Sequence, residues 1–282
     1  MKQSERIVRV AHGGGRWFSG SHDELVSEVT GYIDHADVPV VSKKLIGVIA
    51  PHAGYVYSGP IAGYSFRALR DSADKFGSPD TVVILGLSHS GGFSGVALMD
   101  GDAVSTPVSE SELDVEGGQI LAEMSERIRF EYSPHACEHS AENQIPFVQV
   151  ALPHAKLIVG LIGDHDRKTR TELVKALQKL AEKREIVVVA STDLLHNADY
   201  ETVSDTDRVT LSKIAALDEV GLEESWSFDH QVCCGIAPVL TLMEFAETQG
   251  VESGSVLRYR NSGDDHPESR GSWVVGYGAV SF

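Results

Sequence analysis

The chain has 282 residues, 42% hydrophobic and 23% charged, enough to bury one large core or two small ones. Its 41 acidic against 24 basic residues give a formal charge of −17, which argues against a nucleic-acid surface, because a phosphate backbone needs clustered Lys and Arg. The three cysteines, Cys137, Cys233 and Cys234, lack the spacing of a disulfide framework and suit a reducing compartment. Residues 1–10 are charged and lack the apolar centre of a signal peptide, and no run approaches the ~18 apolar residues of a membrane span. A cytoplasmic protein without membrane contact is expected.

In chain order, the apolar run Leu45-Ile46-Gly47-Val48-Ile49-Ala50 stops at Pro51-His52-Ala53-Gly54. Residues 58–69 then place Ile61, Ala62, Ser65, Phe66 and Leu69 at helical spacing. Val82-Val83-Ile84-Leu85 ends in Gly86-Leu87-Ser88-His89. An amphipathic helix is predicted over 171–183, with Leu173, Leu177 and Leu180 on one side. It feeds Ile186-Val187-Val188-Val189-Ala190, which ends in Ser191-Thr192-Asp193-Leu194-Leu195-His196. Another helix is predicted over 235–247, opening with Ala237-Pro238, and residues 272–282 alternate like a closing strand. Val- and Ile-rich runs read as buried strands, and ligands of open α/β sheets bind beyond the carboxyl ends of such strands. Three polar strand ends are therefore expected to converge on one pocket in a single domain spanning 1–282, since no linker or charge block divides the chain.

Two strand-end histidines, His52 and His89, make a metal site worth weighing, and the Cys233-Cys234-Gly235 turn before a predicted helix offers a third ligand. A thiolate there is expected to be favoured by the helix N-terminus. The same pair also reads as two small buried hydrophobes or, more rarely, as a vicinal disulfide. Glu138-His139-Ser140-Ala141-Glu142 puts two carboxylates four apart, at helical spacing, so that they are expected to share one face, and Asp193 and His196 are three apart. These groups suit either the fixing of a ligand's tautomer or general acid/base work. No GxSxG, P-loop or GxGxxG motif is present.

These motifs, together with Gly14-Gly15-Arg16-Trp17-Phe18 near the start and Tyr259-Arg260-Asn261-Ser262-Gly263-Asp264 before the closing strand, resemble those of the MEMO family along essentially the whole chain. The resemblance implies a single-domain α/β/α sandwich with a mixed central sheet, similar to the catalytic subunit of class III extradiol dioxygenases. It makes His52, His89 and Cys234 a metal-binding trio, with Asp193 and His196 lining the same pocket. Those dioxygenases use two histidines and a glutamate; a cysteine in third place makes copper and zinc plausible beside iron and puts ring-cleaving chemistry in doubt. In an oxidoreductase of this kind His139 or His196 shuttles protons and Asp193 orients an imidazole, on an unknown substrate. The alternative is a non-enzymatic metal-carrying or peptide-binding module, in which Trp17, Tyr55, Tyr57 and Glu142 contact the bound molecule. The family also implies a functional link to radical-SAM and AMMECR1-type proteins.

Overall fold

Four Val/Ile-rich runs lie side by side as parallel strands, in the order Gly47–Ala50, Ile186–Ser191, Thr81–Leu87 and Lys156–Ile162. The computed structural model describes residues 6–282. The strands are buried on both faces, as a parallel sheet covered by helices requires. Their side chains alternate: Val48, Val82, Ile84, Val187 and Val189 face one core, and Ile49, Val83, Leu85, Val188 and Ala190 face the other.

The first core is closed by the helices His22–His35, Tyr55–Phe76 and Ile145–Ala151, which bring Leu25, Val29, Ile33, Phe66, Leu69 and Phe147. The second is closed by Arg167–Ala181, Tyr200–Ala215 and Ile236–Thr248, through Leu173, Leu177, Leu180, Ile214, Leu240 and Phe245. Antiparallel strands complete the sheet. Val96–Leu98 pairs with the Lys156 strand and carries Ile128–Phe130 beyond it. Val274–Ser281 pairs with the Gly47 strand and carries Ser255–Asn261 and His196–Asn197. The result is a nine-stranded mixed sheet between two helical layers, the expected α/β/α sandwich. A separate three-stranded sheet holds Val8–Val10 against Ala103–Ser105 and Glu110–Glu112. Of the charged start, residues 1–5 lie outside the described residues. Among the described residues no helix is long and apolar enough to cross a membrane.

The expected helices are present with shifted ends. The first runs over Tyr55–Phe76, longer than 58–69, because its exposed opening turn (Val56, Tyr57) breaks the apolar spacing; it stops at Gly77, whose φ of 97° suits glycine. The second begins at Arg167, capped by the Asp166 carboxylate, which accepts from the Lys168 amide. The third is Ile236–Thr248 and the closing strand is Val274–Ser281. One expectation fails: no helix carries both Glu138 and Glu142. Glu138 lies in an irregular turn and Glu142 opens a 3-10 turn, Glu142–Gln144, because both carboxylates are drawn to backbone N–H groups of other segments.

Candidate metal centre

The ends of three adjacent parallel strands supply the site. Beyond Ala50, the chain turns through Pro51-His52-Ala53, and its polar backbone is held by side chains rather than by a strand. The Asp193 carboxylate accepts from the His52 and Ala53 amides at 2.8 and 3.3 Å, Asn143 donates to the His52 carbonyl at 2.7 Å, and Gln144 donates to the Pro51 carbonyl at 2.9 Å. His52 is 2% exposed. The Ser191 hydroxyl gives its only proton to the Ser140 carbonyl and therefore accepts both from Gln144 Nε2 and, at 2.9 Å, from His52 Nδ1. This fixes His52 as the Nδ1–H tautomer, with the Nε2 lone pair facing Cys234 Sγ at 3.4 Å. Burial, followed by repulsion from His89 and His139, holds the ring well below the usual histidine range, hence neutral.

His89 is pinned in the same sense. Glu138 accepts from its amide and, at 2.9 Å, from its Nδ1, while also accepting from the His139 and Ser140 amides at 2.8 Å. Burial alone would raise this carboxyl, but the His89 ring and the amides pull it down to about 2. Against the opposing effect of burial, Glu138 raises His89. Glycine is required where these segments meet, because a Cβ on Gly86 would lie 2.5 Å from Ser140 Oγ. Nε2 of His89 is left as its available donor. Glu138 and His139 could also form a ligand group with His89 by proximity. The carboxylate is already saturated by N–H donors, however, so it acts as a holder of His89 rather than as a ligand.

Cys234 comes from a distant segment. It is 8% exposed, and its Sγ accepts from the Asp193 amide at 3.3 Å. Close approach depends on Gly235, where a Cβ would stand 2.4 Å from the Ser191 carbonyl. Ligand atoms of His52, His89 and Cys234 all lie within 4.8 Å of one another. A tetrahedral ion with bonds of ~2.0–2.3 Å separates its ligands by roughly 3.3–3.8 Å, so the trio closes on an ion with shifts of about 1 Å. The donor set therefore fits a first-row transition ion. The expected thiolate is corrected by the structure: burial, then Asp193 and Cys233, push the Cys234 thiol well above its usual range, because Cys234 precedes the helix cap and is buried. Cys233 is fully buried in the helical core with its thiol pushed up to about 12, and no disulfide links the pair.

A cavity of about 1080 Å³ opens over His52 and His89 and is also lined by Trp17, Tyr57, His139, Asp193 and His196. Trp17 stacks on His139 with ring centres 4.0 Å apart, and His139 stacks on His89 at 4.6 Å. Burial and the neighbouring His89 lower His139 to about 4; burial and His89 do the same for His196 at the cavity mouth. Both rings are neutral near pH 7. Burial raises Asp193 to about 6 against the pull of its two amide donors.

Three expected roles change. Asp193 holds the His52 backbone and, among the described residues, makes no hydrogen bond to an imidazole; the imidazoles of His52 and His89 are oriented by Ser191 and Glu138. Glu142 stands behind the cavity wall, accepting from the His12 and Gly13 amides at 2.7 Å, and burial raises it to about 7. It anchors the loop that carries Trp17. Tyr55 borders the cavity but is 3% exposed, packs on Phe18 and Phe147, and donates its hydroxyl to the Asn143 carbonyl. Ser191, Gln144, Arg16, His266 and Trp273 had no role assigned from the sequence. Ser191 alone carried a signal, being the first polar residue after a buried run, as His52 and His89 nearly are.

The fold and the site together define an α/β sandwich on a mixed sheet with a candidate ligand trio of two imidazoles and a thiol beyond its strand ends. The profile of Memo-like proteins matches residues 9–281. A MEMO1 family protein of Methanopyrus kandleri is 36% identical over 288 residues, covering 99% of each chain. One of Pyrobaculum aerophilum is 30% identical, covering 98% of this chain and 99% of its own, and one of Methanocaldococcus jannaschii is 32% identical, covering 97% and 98%. The chain belongs to the Memo-like protein family.

Proposed function

We propose that this chain holds one transition-metal ion on His52 Nε2, His89 Nε2 and Cys234 Sγ and acts as a redox-linked protein on a small molecule in the cavity above it. The observation that carries the reading is that three segments far apart in sequence bring these donors within 4.8 Å while both imidazoles have their other nitrogen committed. Iron or copper there supplies electron-transfer chemistry with a coordination position open to a bound molecule, whereas zinc supplies the position alone.

The residues around it have separate tasks. Ser191 and Glu138 keep a proton on each Nδ1 and so present a lone pair at each Nε2. Cys234 must give up its proton to become a ligand. His139 and His196, neutral at pH 7, are proton acceptors on the cavity wall, and Trp17 with Tyr55 keeps water from that wall. Elemental analysis of anaerobically purified protein, followed by oxygen uptake with the iron- and copper-loaded forms, tests the reading. Stoichiometric metal without turnover would favour the carrier role. Wild-type metal content in both His52→Ala and His89→Ala would remove the site altogether.

A further inference from the structure

The cavity's charges are unevenly satisfied. Its three acidic residues have partners inside the protein: Asp193 accepts two amides, Glu28 accepts the Tyr32 hydroxyl, and Glu268 lies 3.4 Å from His266 Nδ1. Arg16 is the one Arg or Lys on the cavity wall, and among the described residues its guanidinium has no hydrogen bond or ion pair. It is steadied only by the Trp17 ring, at 5.5 Å from Cζ. In a chain of charge −17 the long-range field repels anions, so an anion would be admitted only by a local cation of this kind.

The apolar part of the wall is equally unfinished. Trp17 already stacks on His139, but Tyr57 is 47% and Trp273 59% exposed, both on the cavity. Each ring makes a T-shaped contact with a histidine, Tyr57 with His266 and Trp273 with His196, and is not stacked face to face there, which leaves exposed ring surface for a flat apolar group. We propose that the cavity takes a small aromatic acid, its ring covered by Tyr57 and Trp273 and its carboxylate held by Arg16. This rests on the reading of the cavity as the working pocket of the metal trio and names the class of molecule that pocket receives.

Calorimetric titration with 3-phenylpropanoate, its neutral amide and 3-cyclohexylpropanoate tests it, on wild type, Arg16→Gln, Arg16→Lys and Trp273→Ala, with metal content measured in each. The wild type should prefer the acid over the amide by about tenfold, the size of one charge-assisted contact. Arg16→Gln should abolish that preference and Arg16→Lys restore part of it. Trp273→Ala should erase the preference for the phenyl over the cyclohexyl acid. Both Arg16 and Trp273 are exposed and bind no metal, so metal content and melting should stay at wild-type values. Equal affinity for acid and amide, survival of the preference in Arg16→Gln, or no saturable binding of the acid at millimolar concentration would overturn the proposal even where metal is retained. Arg16-dependent binding to a protein that takes up no metal would uphold it while the metal reading fails. Tighter binding of phenyl phosphate than of the carboxylate would replace carboxylate by phosphate and so overturn the assignment.

Discussion

The four central parallel strands all end in the same grammar, an apolar run followed within a few residues by a histidine, yet only three build the site. The Gly47, Ile186 and Thr81 strands are neighbours, and their ends deliver His52, Asp193 and His89 to one cavity, with Ser191 buried behind His52. The Lys156 strand ends in Gly163-Asp164-His165 beside them in the sheet, but its chain crosses to the other helical layer. There Asp164 accepts from the Gly95 amide and the Thr169 hydroxyl, and His165 packs 4.4 Å from Trp226 and 5.2 Å from Phe228. The strand-end histidines of the candidate trio thus differ from His165 in having one nitrogen held by a buried acceptor and a third donor nearby. His165 has aromatic packing in place of both.

Metal retention should divide the two regions most sharply. His52→Ala and His89→Ala are expected to lose the ion with the fold intact, while His165→Ala keeps it; metal titration and melting of the three variants are the check. The stability lost with the ion is about 2.7 kcal/mol when free metal stands a hundredfold above its dissociation constant. Equal metal loss in His165→Ala would erase the distinction.

The carboxylates give the next contrast. Glu138→Gln should weaken metal binding roughly 10- to 100-fold, because it loosens the Nδ1–H of His89, whereas Asp164→Asn should leave affinity unchanged and cost about 1 kcal/mol of stability. Asp193→Asn retains an acceptor for the His52 amide, so its effect on affinity should fall below that of Glu138→Gln.

Affinity should also rise with pH. The Cys234 thiol is raised and remains protonated near neutrality, so binding releases its proton and the association constant climbs about tenfold per pH unit, more steeply below the raised pKa of His89. A flat profile would mean that the thiol is not a ligand.

The smallest effect lies beneath the Ile186 end. Asp207 accepts from the Leu195 amide and the Tyr259 hydroxyl, and burial raises it to about 7. A folded-state pKa raised above the unfolded value of ~3.9 gives stability that is complete below the unfolded pKa and is lost as pH rises through the folded one. Asp207→Asn should flatten the fall in melting temperature between about pH 6 and pH 8, a matter of roughly 1 kcal/mol, with metal content unchanged.

The sequence by itself determined three of the four parallel strands, three of the helices flanking them and, through the family resemblance, the candidate trio; the Lys156 strand and the helices His22–His35, Ile145–Ala151 and Tyr200–Ala215 emerged only in the structure. Uninterrupted Val and Ile runs can only be buried on both faces, and a polar motif at the end of such a run must lie where the backbone leaves the core. The tertiary structure decided the second tier. That Ser191 rather than Asp193 orients His52, that Glu138 leaves helical company to hold His89, and that burial outweighs the helix terminus at Cys234 all depend on contacts between segments 49 to 182 residues apart. Spacing along a chain records which residues share an element; it carries no record of which lone pair another segment will fill, or of how deeply that packing buries the group.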